Sequence, residues 1–513
     1  MENTIAIELR DITKTFGDVV ANNKICLQVR RGEILSLLGE NGSGKTTLMN
    51  MISGIYFPDS GQIFVDGKEV TIRDPKDAFD LGIGMIHQHF KLVDVLTAAE
   101  NIVLGLPEKG RLDRKRISAQ VEEISSRYGF DLNPSKKIYN MSVSEKQTVE
   151  IVKVLYRGAN ILILDEPTAV LTPQETTKLF AVLRNMKADG KAIVIITHKL
   201  HEVMDISDKV AVLRKGEYIG TVDTSGTNPQ ALTDMMVGRA VSLDIDRPEP
   251  KNPTQRLAVE NLTCLNEVDF PVLNSVSLTA MGGEILGVAG VAGSGQRELC
   301  EAITGLYPIK QGKVCYFDPK DGPRELVGKT PMEIRRMGIS LAFVPEDRLG
   351  MGLVAGMDMT DNMMLRSYRR GYSMFADRKS PKQLAEKIIE QLEVVTPGTT
   401  TPVRRLSGGN VQKVLVGREI ASAPTVLVVA YPVRGLDINS SYTIYRLLNE
   451  QKAKGVAVIY VGEDLDVLLE LCDRIVVLCG GKVSGIVDAR SVTKEEVGLL
   501  MTQMKREEGE EHG

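Results

Sequence analysis

Ile34-Leu35-Ser36-Leu37-Leu38 runs directly into Gly39-Glu40-Asn41-Gly42-Ser43-Gly44-Lys45-Thr46. The short apolar run predicts a buried strand, and the segment from Lys45 onward predicts a helix. A G-x-x-x-x-G-K-[ST] turn between the two is a phosphate-binding loop. Its backbone N–H groups and the helix N-terminus can cradle closely spaced negative charges with no bulky side chain between. Gly39, Glu40, Asn41, Gly42, Ser43, Gly44, Lys45, Thr46 and the adjoining Thr47 are therefore the expected nucleotide contacts. Lys45 would neutralise the β- and γ-phosphates, and the Thr46 hydroxyl would bind Mg²⁺.

The same parts recur downstream in altered form. Gly290-Val291-Ala292-Gly293-Ser294-Gly295 keeps the glycine framework, but Gln296 and Arg297 replace the lysine and threonine. Leu406-Ser407-Gly408-Gly409 follows Met141-Ser142-Val143-Ser144 at a spacing of 265 residues, and Val426–Val429 follows Ile161–Leu164 at the same spacing. The loop glycines are 251 residues apart, so an insertion of about 14 residues lies between loop and signature in the second half. Constant order at near-constant spacing means two copies of one domain. Two nucleotide sites are expected, of which only one should hydrolyse.

Length and composition agree. A chain of 513 residues exceeds one compact core and suggests two domains. We place them at 1–240 and 257–505, joined by a proline-rich polar linker at 241–256 and followed by a charged tail at 506–513. The net charge of −4 argues against nucleic acid as the main partner. Six cysteines without C-x-x-C spacing predict buried free thiols in a reducing compartment. No apolar segment approaches the roughly 18 residues of a membrane span, and no signal-peptide pattern opens the chain. Buried apolar runs such as Ala192–Ile196 alternate with amphipathic stretches such as Glu175 to Asp189, which predicts an α/β fold with a mostly parallel sheet core covered by helices. Residues 90 to 145 lack such runs and read as an inserted helical subdomain. Met357, Met359, Met363 and Met364 read as packing filler.

Five further positions in the first copy carry chemistry. Asp165 and Glu166 end the strand Ile161–Leu164, where one carboxylate can orient a metal and the other can take a proton from water. His198, after the strand Ile193–Thr197, would place a donor near the γ-phosphate. Gln88, after Gly84-Met85-Ile86, would contact Mg²⁺ and the attacking water. Phe16, in Lys14-Thr15-Phe16-Gly17, would stack on adenine.

The loop, Gln88, Ser142–Gln147, Asp165-Glu166-Pro167-Thr168 and His198 together resemble an ATP-binding cassette, in an order that spans both halves. More narrowly, the degraded second loop, Pro345-Glu346-Asp347-Arg348 and Leu406-Ser407-Gly408-Gly409-Asn410 resemble the fused tandem ATPases of bacterial importers for simple sugars and nucleosides. The stretches from Glu150 to Ala159 and from Val170 to Glu175 look closest to the nucleoside branch. The resemblance implies two tandem P-loop cassettes, with ATP and Mg²⁺ bound between one copy's loop and the other's signature. One complete site would combine Lys45, Thr46, Gln88, Asp165, Glu166 and His198 with Ser407, Gly408 and Gly409. The opposite site would pair Gln296 and Arg297 with Ser142-Val143-Ser144-Glu145. There Ala430 and Tyr431 replace the carboxylates, Glu463 the histidine and Glu346 the glutamine. The two acids would add negative charge where a γ-phosphate would sit.

The implied role is an energising ATPase at the cytoplasmic membrane face, with two membrane-spanning permease subunits and an extracytoplasmic solute-binding lipoprotein as partners. A soluble tandem cassette acting on ribosomes or DNA would be expected to keep two working sites and a long basic connector. A nucleotide-gated regulator without hydrolysis would have no use for Asp165-Glu166.

Overall fold

The computed structural model describes residues 4–17, 19–87, 90–106, 113–169, 171–238, 245–250, 253–318, 321–337, 339–368 and 377–502. It divides into two compact units, Met1–Ser242 and Leu243–Gly513. The expected site residue Gln88 and the charged tail lie outside the described residues.

Among the described residues, unit 1 contains ten strands: β1 (Ile5–Phe16), β2 (Val19–Arg30), β3 (Ile34–Leu38), β4 (Ser60–Val65), β5 (Lys68–Val70), β6 (Ile83–Ile86), β7 (Ile161–Asp165), β8 (Ala192–Ile196), β9 (Lys209–Arg214) and β10 (Glu217–Asp223). Six form a sheet in the order β10-β9-β3-β8-β7-β6, parallel except for the β9–β10 pair. The runs read as buried strands are that sheet: β3 and β8 are buried at every residue. Burial on both faces explains their lack of polar alternation. On one face Leu35, Leu37, Ile163 and Val194 pack with Leu48, Met49, Met51 and Ile52 of the helix Lys45–Ile52. On the other, Ile34, Leu162, Leu164, Ile193 and Ile195 pack with Ile151, Leu179, Leu183 and Met186 of the helices Val143–Tyr156 and Pro173–Ala188. Each fully buried Leu or Ile contributes about 1.5–3 kcal/mol of transfer free energy.

The segment between β6 and β7 is helical, as expected. It contains Ala98–Val103, Arg114–Tyr128 and Val143–Tyr156, with a small core of its own built from Ala98, Ile102, Ile117, Val121, Ile138, Val149 and Val152.

A second, antiparallel sheet, β2-β1-β4-β5, was not foreseen. Its strands bury alternate residues, so Ile7, Leu9, Leu27 and Val29 point into the core while Glu8 and Gln28 face outward. Period-2 alternation is weaker evidence of a strand than a continuous apolar run, and here bulges in the β1–β2 register interrupt it.

Unit 2 repeats both sheets with β11 (Thr254–Leu265), β12 (Pro271–Gly282), β13 (Ile285–Gly290), β14 (Gln311–Asp318), β15 (Gly322–Glu325), β16 (Leu341–Val344), β17 (Val426–Ala430), β18 (Ala457–Val461), β19 (Arg474–Cys479) and β20 (Lys482–Asp488). The orders are β12-β11-β14-β15 and β16-β17-β18-β13-β19-β20. The extra residues of the second copy are spread out rather than inserted in one block. Pro331 follows Pro75 by 256, Leu341 follows Ile83 by 258, and Lys379 follows Arg114 by 265. Met359 and Met363 are core filler as expected, whereas Met357 is exposed. All six cysteines are free, and Cys264, Cys300 and Cys472 are buried, but Cys26 is exposed.

Candidate active site

Parallel strands deliver their carboxyl ends to one sheet edge, and open α/β folds bind ligands there. β8 lies between β3 and β7, with Leu37 and Asp165 both in register with Ile196. The turn after β3, the carboxylates at the end of β7 and the histidine after β8 thus meet at one edge.

Two glycines in the turn are required by space. A Cβ at Gly39 would come within 2.3 Å of the Leu213 carbonyl oxygen, and one at Gly44 within 2.3 Å of the Ala21 carbonyl oxygen. Gly44 also has φ 97° and caps the helix Lys45–Ile52, which has no side-chain cap and no acidic residue in its first turn. Its leading N–H groups are therefore left for an anion. Ser43 Oγ is buried with no partner among the described residues. Lys45 is buried, and its Nζ donates to the carbonyls of Gly39 (2.6 Å) and Glu40 (3.0 Å). Burial pulls the Lys45 pKa down, against the opposing charges of Glu166, Asp165 and Glu40. Thr46 is exposed and Thr47 half-buried.

Burial, then the neighbouring Glu166 charge, pushes the Asp165 carboxyl up to about 6, with Lys45 opposing. Glu166 has φ 50°, a conformation a β-strand cannot continue, so the chain turns out of the sheet at this residue. Its N–H is held by the Ile196 carbonyl at 2.9 Å. Its Oε1 lies 2.8 Å from His198 Nδ1, while Oε2 is buried without a partner among the described residues. Two orphaned oxygens, Ser43 Oγ and Glu166 Oε2, face a site whose cation is buried and whose metal-compatible acid is raised. These are the unmet bonds a magnesium–triphosphate and its attacking water would satisfy. Among the described residues no cluster of three His, Cys, Asp or Glu side chains could hold a metal unaided. Mg²⁺ at nucleotide sites usually needs only one or two carboxylates beside the phosphates.

Phe16 is exposed rather than part of the core and sits edge-on to Tyr56 at 5.2 Å. Tyr56 escaped the sequence reading, since nothing in the motif marks it.

Unit 2 keeps the scaffold and replaces the side chains at these positions. Gln296 is buried, and its Nε2 donates to the Val291 carbonyl at 3.0 Å, substituting for the bond Lys45 makes to Glu40. Arg297 turns back to Glu301 at 2.7 Å. Tyr431, at Glu166's place, retains its backbone, with φ 48° and its N–H on the Val461 carbonyl at 2.9 Å. Glu346 and Glu463 do not stand as bare negative charges: Arg434 pairs with Glu346 and, at 3.3 Å through Nε, with Glu463. A cavity of about 290 Å³ beside this group is lined by Arg297, Glu346, Asp347 and Ala430.

The two signature turns differ in the opposite sense. Ser142 caps the helix Val143–Tyr156 in a reciprocal box with Glu145, whose carboxylate also pairs with Lys136 at 2.6 Å. That helix N-terminus is thus already occupied by an acid. The helix Gly408–Ile420 begins with two glycines behind Ser407 and has no acidic residue in its first turn. Ser407 and Gly408 are exposed.

This edge geometry defines a P-loop nucleotide-binding domain, present twice, once with the lysine, the two carboxylates and the histidine and once with other residues in their places. The ABC transporter family model matches residues 22–169 and 273–432, and the chain belongs to that family. It is accordingly an ATP-binding, ATP-hydrolysing protein built from two cassettes. Guanosine import ATP-binding protein NupO of Bacillus subtilis is 42% identical over 99% of both chains. Nucleoside import ATP-binding protein NupA of Lactococcus lactis is 40% identical, covering 98% of this chain and 99% of the relative. Ribose import ATP-binding protein RbsA 1 of Streptomyces avermitilis is 38% identical, covering 96% and 93%. No helix among the described residues is long and apolar enough to cross a membrane.

Proposed function

We propose that the chain is the energising subunit of an importer for nucleosides or simple sugars, with one competent ATP site shared between its copies. The observation that carries this is complementary damage. Lys45, Asp165, Glu166 and His198 are intact in the first copy, and the unblocked Ser407-Gly408-Gly409 turn is in the second. In this reading Glu166 takes the proton of the attacking water, and His198, in contact with Glu166 through Nδ1, places a donor near the γ-phosphate. Phe16 stacks on adenine. Ser407 and the glycines behind it supply a hydroxyl, N–H groups and a helix N-terminus to the γ-phosphate. Thr46, Asp165 and Gln88 would hold Mg²⁺, which when bound neutralises charge on the phosphate oxygens. Closure of the copies on ATP and release after hydrolysis would drive two permease subunits fed by an extracytoplasmic binding protein. The chain would then act at the cytoplasmic face of the membrane, through its permease.

The names of the relatives favour the nucleoside branch. Labelled guanosine and ribose uptake should be measured in cells lacking the chain, restored with the wild type or with Glu166→Gln. Only the wild type should restore uptake, with guanosine preferred. Equal rescue by Glu166→Gln would sink the energising role, and rescue for ribose alone would overturn the nucleoside assignment.

A further inference from the structure

The second copy has lost its catalytic groups but has gained two arginines at the same edge. Arg434 stands 265 residues after Ala169, and Arg348 stands 258 residues after Phe90, so neither has a counterpart in the first copy. Arg434 joins Glu346 to Glu463, the residues at the Gln88 and His198 positions. Arg348 Nη2 donates to the Arg434 carbonyl, and its Nη1 lies so close to Gly408 that a Cβ there would be 3.3 Å away.

Arg348 is itself fixed. It opens the turn Arg348–Gly352, which Asp347 caps by accepting from the Gly350 N–H at 2.8 Å. The other end of that turn lies on the signature helix, where Arg418 Nη2 donates to the Gly352 carbonyl at 2.7 Å and a Cβ at Gly352 would meet Leu415 at 2.7 Å. The segment after Arg434 presses on the next glycine. A Cβ at Gly409 would come within 2.8 Å of Ser440 Oγ and 3.2 Å of Asp437 Oδ2, and Asp437 accepts from Ser440 at both oxygens. The Ser407–Gly409 turn is therefore packed against both Arg348 and the Asp437–Ser440 cap, and both are anchored on the segment that carries Arg434.

We propose that the vacated site of the second copy has become a brace, in which Arg348 and Arg434 are positioning residues for the Ser407-Gly408-Gly409 turn that serves the competent site. The inference rests on the shared-site reading above. Holding donors in place before the charge develops is how such groups accelerate a reaction, so loss of the brace acts on turnover more than on binding.

The test uses the full-length chain, with steady-state MgATP hydrolysis, fluorescent-nucleotide binding at the Lys45 site and thermal melting measured side by side. Arg348→Ala should lower kcat about fivefold or more while leaving nucleotide Kd within about twofold. Arg434→Gln should act in the same direction, and the double variant should be no worse than the more damaged single one, because both break one chain of contacts. Arg348→Lys should recover part of the loss. Arg434 is exposed, so Arg434→Gln decides the matter should Arg348→Ala fail to fold. If Ser407→Ala lowers kcat and Arg434→Gln does not, the brace is wrong and the shared site survives. If Ser407→Ala leaves kcat untouched, the shared site fails and the brace with it. Additive losses, or parallel losses in kcat and Kd, would also overturn the brace.

Discussion

Glu166 Oε1 and His198 Nδ1 stand 2.8 Å apart across the ends of β7 and β8, while the other carboxylate oxygen, Oε2, is buried with no partner among the described residues. In the proposed mechanism the first oxygen serves orientation and the second takes the proton. Glu166→Gln should lower phosphate release by about 10²–10⁴-fold, the usual range for a general base, with ATP binding retained. Phosphate release and nucleotide binding measured on the same sample check this. Turnover within a few-fold of wild type would remove Glu166 as the base.

Lys45 and Gln296 hold equivalent positions and make equivalent bonds to loop carbonyls, but only Lys45 carries charge. Lys45→Ala should reduce ATP turnover at least about 100-fold, as expected for loss of a charge-assisted phosphate contact. Gln296→Ala should change turnover less than about twofold and cost about 1 kcal/mol of stability from the lost buried hydrogen bond. Equal silencing by the two substitutions would show that the asymmetry has been assigned wrongly.

The raised Asp165 carboxyl predicts a pH-dependent gain in stability. Its folded value of about 6 lies above the usual 3.8, so the folded state binds the proton more tightly. Stability from this group is present below about pH 4 and is lost as pH rises through 6. Asp165→Asn should therefore leave melting unchanged near pH 4. Near pH 7.5 it should raise the ligand-free melting temperature by about 2–4 °C, taking about 1 kcal/mol after allowance for partial solvent exposure. Melting curves at the two pH values decide it, and a destabilised Asp165→Asn at pH 7.5 would contradict the sign.

Ser142 and Ser407 occupy matching N-caps, yet only the Ser142 helix carries an acid in its own first turn. Ser142→Ala should cost about 1 kcal/mol of stability through its capping box while sparing turnover. Ser407→Ala should slow turnover. Comparing kcat and melting temperature for the pair separates the two roles, and a reversed pattern would move the competent signature to the first copy.

Phe16 is exposed beside Tyr56, so its loss should not disturb the core. Phe16→Ala should raise the KM for ATP about 5–10-fold, from about 1–1.5 kcal/mol of aromatic stacking, with kcat nearly unchanged. An unchanged KM would place adenine elsewhere.

The amino-acid order alone determined the repeat, the buried parallel strands and the phosphate loop. Each is written in local pattern: unbroken apolar runs such as Ile161–Leu164, glycines at fixed spacing, and a lysine directly after them. The bulged, alternating strands β1 and β2 were illegible because their pairing partners are set by packing rather than by composition. Tertiary structure alone decided how charge is balanced. Glu346 and Glu463 read as bare repulsion in sequence, but folding brings Arg434 between residues more than a hundred positions apart. It also decided that Lys136 pairs with Glu145 at one signature helix and that Arg348 approaches Gly408 at the other. Those outcomes depend on which side chains the fold brings within a few ångströms, and linear spacing does not encode that distance.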